Sequence, residues 1–340
     1  MTFPKWKAAM AWALAAAMLG GAAGAAFAQA EFLEELRRQE FGEQIPYKEK
    51  YIDVQDARMR YVDEGEGTVF VFFHGNPTSL YLWRNVMPYV AEIGRVVAFD
   101  NVGFGGSSKP DIGYTFQEHA RYVNAFMDAL GLRDVVLVGH DWGGGLALQY
   151  ARRHGDNVRG LVLMEAVAPP TFPLPELPPG GAFGEIFRGF RDPVAGPRMI
   201  LDENMFVERL LIGGAVTRTL SAAEMEAYRA PFLERDARYP IYVWPNELPI
   251  GGEPARNVEE LERIDAWLRG AELPKLVQYA TPGVIMPPSI AASMAERYPN
   301  TETQFVGYGL HFIQEDQPQA IGRGIVDWAR RNVVPDARDD

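Results

Sequence analysis

The chain has no cysteine in its 340 residues. That excludes disulfides, thiolate nucleophiles and cysteine-ligated metal centres. Histidine is scarce as well. His74, His119, His140, His154 and His311 are scattered, with no HExxH or comparable spacing, so no metal site is expected. Positive charge is in deficit: 33 Lys+Arg stand against 45 Asp+Glu, a formal net charge of −12. Such a balance argues against nucleic acid as a partner and otherwise favours solubility. Internal repeats are absent, and the length suits one large α/β domain with an insertion.

One long apolar run is present, at the start. Lys5 and Lys7 precede an Ala-rich stretch from Ala8 to about Ala26, and small residues follow at Ala26, Ala28 and Ala30. That order is expected for a signal peptide over residues 1–30, cleaved after Ala28 or Ala30. The other reading is an uncleaved anchor, for which the run is barely long enough. The mature chain is expected to be exported, periplasmic or secreted, with no stable membrane association. The lack of cysteine suits an oxidising compartment.

From about residue 50, short apolar runs alternate with helical patterns. Val69–Phe73, Val96–Phe99, Val135–Val138, Leu161–Met164, Lys275–Ala280 and Thr303–Val306 read as strands. Glu118–Leu130, Gly144–Arg153, Ile290–Arg297 and Ile321–Arg331 read as helices. Strands separated by helices of this length imply a parallel sheet covered on both faces. An opening antiparallel pair is expected around Tyr51–Tyr61. Between Ala168 and Pro249 the alternation stops. Pro and Gly crowd 169–181, and helical pieces follow at Phe183–Phe190, Met199–Leu211 and Ala222–Phe232. The expected division is a core from 31–167 and 250–335, a helical cap over 168–249 and an acidic tail at 336–340.

The richest stretch is Val135–Gly144, VVLVGHDWGG. Four apolar residues run into Gly139-His140-Asp141-Trp142-Gly143, and a helical pattern follows. This is the Gly-x-nucleophile-x-Gly pattern of a nucleophile elbow, whose tight turn exposes one side chain at the carboxyl end of a sheet. The middle position holds Asp141 rather than serine or cysteine. A carboxylate is poorly suited to attack on an ester or amide. It suits displacement at an alkyl carbon, which leaves an ester that water opens. The plain alternative is that Asp141 caps the following helix.

Other strand ends carry the remaining chemistry. Phe73-His74-Gly75-Asn76-Pro77 closes the first parallel strand, so Asn76 should face the elbow. The backbone N–H groups of Asn76 and Trp142 are candidate oxyanion donors. The Asn76 amide and the Trp142 indole are further neutral donors, suited to a leaving anion. Glu165 ends a strand among Met164, Ala166 and Val167, where a carboxylate needs a partner. His311 follows the last strand. The order Asp141, Glu165, His311 is nucleophile, acid, base. Taken singly, Trp142 reads as core, Asn76 as a turn residue, Glu165 as a surface ion pair and His311 as a loop histidine. Their convergence at strand ends is what defines a site.

HGNPTSLYLWRNVMPYV (74–90), VGHDWGG (138–144), MEAVAPP (164–170), YPIYVWPNELPI (239–250), TPGVIMPP (281–288) and GLHFIQED (309–316) resemble the haloalkane dehalogenases over about residues 40–332. The resemblance is to the subfamily whose acid is a glutamate after the sixth strand. It implies an α/β-hydrolase fold, with a mostly parallel eight-stranded sheet, flanking helices and an inserted helical cap. By position it makes Asp141 the nucleophile, His311 the base (neutral when water attacks the Asp141 ester), Glu165 the acid, and Asn76 and Trp142 the halide-binding pair. Phe187, Phe206, Leu210, Trp244, Pro245, Ile285 and Phe312 are implied to line the pocket, with Leu210 and Ile285 narrowing access. The implied substrate is a small halogenated aliphatic molecule, with water as co-reactant, halide as product, no cofactor, and a monomeric protein.

Neighbouring families remain as alternatives. Epoxide hydrolases usually carry the acid as Asp after the seventh strand, yet 280–288 has no acidic residue. They also use two lid tyrosines, for which Tyr228, Tyr239 and Tyr242 are available here. A luciferase-like protein keeps the same triad, and a non-catalytic protein of this fold would hold it only by descent.

Overall fold

The computed structural model describes residues 41–334. The expected signal peptide (1–30) and acidic tail (336–340) lie outside the described residues. The sheet has eight strands: β1 (Lys50–Val54), β2 (Ala57–Glu64), β3 (Val69–Phe73), β4 (Arg95–Phe99), β5 (Val135–Asp141), β6 (Val158–Ala166), β7 (Lys275–Pro282) and β8 (Thr301–Gly309). Their spatial order is β1-β2-β4-β3-β5-β6-β7-β8. β1 and β2 are antiparallel, as are β2 and β4, and the other pairs are parallel.

The near-continuous apolar runs are explained by burial on both faces. Val71 and Phe73 of β3 join one core with Leu137 of β5 and Leu163 of β6. Phe70 and Phe72 point the other way and join Val136, Val138 and Met164. This period of two carries the side chains of the central strands into one core or the other.

Among the longer helices, α1 (Phe116–Ala129) starts at a Thr115/Glu118 capping box, and α2 (Trp142–Arg153) begins directly after β5. No strand of the sheet falls between β6 and β7. That stretch holds α3 (Gly181–Arg191), α4 (Ala222–Arg229), α5 (Tyr239–Glu247) and α6 (Ala255–Leu268). α7 (Pro288–Arg297) and α8 (Pro318–Asn332) complete the fold.

Two local departures have physical causes. Met199–Leu211 is not one helix, because Asn204 takes φ +50 and divides two wide turns at Arg198–Asp202 and Phe206–Leu211. Helix α5 was not among the expected helices, and neither was the longer α6. Its apolar positions, Val258, Leu261, Ile264 and Leu268, do carry helical spacing, but charge dilutes the signal.

The segment carrying α4 is tied to the sheet by a buried ionic cluster. Arg84 donates to both carboxylate oxygens of Glu315 at 2.6 and 2.9 Å, and to Glu224 at 2.7 Å. Arg218 donates to Glu224 at 2.5 Å and also to Glu315. Two guanidinium groups thus balance two carboxylates, with Arg84, Glu224 and Glu315 all buried.

Candidate active site

β5 delivers Asp141 in a conformation that an L residue rarely adopts, φ +52 and ψ −129. The turn depends on absent side chains. A Cβ on Gly139 would stand 2.6 Å from Gly144 Cα, and one on Gly75 only 2.2 Å from Asp141 Oδ1. Asp141 precedes α2 but makes no capping hydrogen bond, so the helix-cap alternative fails. Its carboxylate is turned elsewhere. Oδ1 accepts the Asn76 backbone N–H at 2.7 Å, and Oδ2 lies 3.5 Å from His311 Nε2. The Trp142 N–H, the other expected oxyanion donor, makes no hydrogen bond to this carboxylate.

Glu165 ends β6 one strand over, also left-handed at φ +44. It is fully buried and touches no Arg or Lys, so the surface ion-pair reading fails. The backbone N–H groups of Val284, Ile285 and Met286 donate to it at 2.7–3.1 Å, and His311 Nδ1–H at 3.2 Å. The loop after β7, which holds no acidic residue, therefore serves the acid with backbone donors instead. The Val167 N–H also donates to the Asp141 carbonyl at 2.9 Å, fastening the two strand ends together.

His311 sits after β8, before a helical turn at Ile313–Asp316. Its N–H donates to the Ala215 carbonyl at 3.3 Å, as does that of Phe312 at 3.1 Å. His140 supports it from below. Burial, together with the charge of His311, lowers the His140 pKa to about 3, and this neutral ring donates Nε2–H to the His311 carbonyl at 2.9 Å. For His311 itself burial opposes the charged form. Hydrogen bonds to Asp141 and Glu165, and their charges, outweigh burial and lift its pKa to about 9. Burial likewise opposes ionisation of Asp141. His311 and the Asn76 N–H overcome it and hold Asp141 below the usual aspartate range. With Asp141 ionised, the two flanking carboxylates favour the imidazolium form of His311, and the neutral base expected for ester hydrolysis belongs to the later state in which Asp141 is esterified.

Asn76 and Trp142, both buried, border one cavity with Asp141 and His311. Asn76 Nδ2 donates to the Ile241 carbonyl at 3.3 Å. Of the seven positions expected to line the pocket, Phe187, Phe206, Leu210, Pro245 and Ile285 border this cavity. Trp244 and Phe312 do not. Trp244 lies behind Trp142, edge-on at 5.4 Å, because its Nε1–H is drawn to His119 Nε2 at 2.8 Å. Phe312 turns away to pack with Tyr81, Leu82 and Leu211. Phe183, Ile186, Val284 and Leu310 also line the cavity and were not singled out. Phe187 stands four positions and Ile186 three positions after Phe183 on α3, spacings that share a helix face with it.

None of the three lid tyrosines borders the cavity. The Tyr228 hydroxyl donates to Glu315, and Tyr239 is substantially exposed. The paired phenols an epoxide hydrolase would need are missing from the site. Among the described residues no group of three or more His, Cys, Asp or Glu is arranged to hold a metal ion.

A carboxylate on an elbow, backed by a glutamate at the end of the neighbouring strand and a histidine after the last strand, defines an α/β hydrolase. The family profile for the alpha/beta hydrolase fold matches residues 68–318. A haloalkane dehalogenase of Sphingobium indicum is 43% identical over 290 residues, covering 84% of this chain and 96% of its own. Another, of Bradyrhizobium diazoefficiens, is 41% identical over 285 residues, covering 81% and 92%. The crystal structure of the haloalkane dehalogenase from Bradyrhizobium elkani superposes with a TM-score of 0.80 at 41% identity, covering 84% of this chain and 98% of that one. The chain belongs to the haloalkane dehalogenases.

Proposed function

We propose that the chain hydrolyses the carbon–halogen bond of small halogenated aliphatic molecules, giving an alcohol and a halide ion through an ester on Asp141. One observation carries this reading: an ionised, uncapped elbow carboxylate faces an apolar cavity beside two neutral N–H donors. Asp141 Oδ2 attacks carbon, and the halide departs with the bonding electrons toward Asn76 Nδ2 and the Trp142 indole. No base is needed, because the nucleophile is already ionised.

Esterification then changes His311. With Asp141 neutral, only Glu165 still holds its proton, which leaves to solvent. His311 is now a base for water attacking the ester carbonyl. The charge that develops falls on Oδ1, where the Asn76 N–H already waits, a contribution usually worth ~3 kcal/mol per donor. Collapse releases the alcohol and restores carboxylate and imidazolium. The site is complete within one chain, which supports a monomer, and water supplies the second reactant. We further propose that residues 1–30 export the chain and are removed.

The test is a trapped intermediate. His311→Phe should react once with 1-bromobutane and stop, with intact-mass spectrometry finding one butyl group and peptide mapping placing it on Asp141. Asp141→Ala should form no adduct and release no bromide. An unmodified His311→Phe protein, under conditions where the wild type turns over, rules out this chemistry.

A further inference from the structure

We infer that Pro245 is a positioning residue for the leaving-group site: its missing N–H frees the Ile241 carbonyl to orient the Asn76 side chain. In an α-helix the carbonyl of residue i takes the N–H of residue i+4. For Ile241, within α5, that donor would come from position 245, which is proline. Proline has no N–H to give. Ile241 is fully buried, which leaves little access for water to take the donor's place. The group that meets its carbonyl is Asn76 Nδ2, at 3.3 Å, reaching from the loop after β3.

The consequence for Asn76 is directional. A carbonyl only accepts, so it fixes the NH2 end of the amide and rejects Oδ1. Asn76 borders the cavity, its Oδ1 is buried and makes no hydrogen bond, and Nδ2 is the side-chain atom whose direction is fixed. One Nδ2 proton is engaged by Ile241, and the other is left for an anion. Rotated by half a turn, the amide would set Oδ1 against both the Ile241 carbonyl and a departing halide. A proline in the second turn of α5 thereby selects which face of a core amide the leaving group meets. The inference rests on the reading of Asn76 as a halide donor.

Pro245 also borders the cavity, so its ring and its missing N–H must be separated. The experiment measures saturable quenching of tryptophan fluorescence by iodide in the full chain. Three variants are compared: Pro245→Ala, Asn76→Ala, and a backbone ester in which lactic acid replaces Pro245. The alanine and lactate forms carry the same methyl group and differ only in the N–H. Restoring the N–H in Pro245→Ala should let it compete for the Ile241 carbonyl and weaken iodide binding about tenfold, the scale of one hydrogen bond to an ion. The ester should bind iodide within about twofold of wild type, as neither of the two has an N–H at 245. Equal weakening in both forms assigns the effect to the cavity wall and overturns the inference. So does wild-type binding by Pro245→Ala. If Asn76→Ala binds iodide as tightly as wild type, the donor reading itself falls, and the inference with it.

Discussion

The Asn76 backbone N–H holds Oδ1 of Asp141 at 2.7 Å, which makes the two oxygens of the nucleophile unequal. Oδ1 is fixed as the eventual oxyanion, and Oδ2 is the atom left to meet carbon. The substrate's new C–O bond should therefore contain an oxygen of Asp141, not of water. In a single turnover with excess enzyme in heavy-oxygen water, the Asp141 peptide should gain one heavy oxygen and the alcohol none. Heavy oxygen in the first-turnover alcohol would mean that water attacks carbon directly.

A second prediction concerns when the acid appears. The resting pair is carboxylate and imidazolium, and hydrolysis restores it, so the net proton must leave when the ester forms. Stopped-flow measurement with a pH indicator should show proton release in step with bromide release. His311→Phe should release one bromide with no proton. Proton release delayed until alcohol formation would contradict an imidazolium in the free enzyme.

The same pKa shift has a stability sign. His311 is raised from 6.5 to about 9, so its charged form is favoured by folding. That contribution is complete below the ordinary histidine range and is lost as pH rises through about 9. Urea midpoints of the wild type should fall between pH 7 and 9 more steeply than those of His311→Phe. Parallel curves would remove the ion pair from the folding balance.

Arg84 is buried against Glu315 and Glu224. Arg84→Met leaves both carboxylates short of a partner and should cost about 3–5 kcal/mol in urea unfolding, far more than an exposed pair. A loss under about 1 kcal/mol would show that the cluster relaxes or hydrates freely.

Export is checked by N-terminal sequencing of the protein from its native host. The mature chain is expected to begin near Gln29 or Glu31, outside the cytoplasm. Soluble cytosolic protein beginning at Met1 would overturn it.

The strands, most of the helices and the convergence of Asp141, Glu165, His311, Asn76 and Trp142 were legible in sequence because each rests on local pattern. Apolar runs mark doubly covered strands, and chemistry gathers at their carboxyl ends. The protonation of His311 was not legible, since it depends on two carboxylates brought together from β5 and β6. Nor was the placement of Trp244. Its aromatic character suits a pocket wall, but one hydrogen bond to His119, buried on α1, draws it behind Trp142. Asn204 broke an expected helix for a similarly specific reason, a left-handed backbone that no apolar periodicity reveals.

The attachments of the site are divided unevenly. Asp141 and Glu165 are anchored within the sheet and fastened to each other through Val167. His311 and Asn76 are bonded to these strand residues too, but each also reaches a carbonyl, of Ala215 and of Ile241, in the stretch between β6 and β7. Mutational drift in that stretch, the natural place to reshape substrate preference, therefore reaches the base and the leaving-group donor before it reaches the nucleophile. Adaptation to a new substrate runs the risk of an enzyme that takes its first molecule and never lets it go.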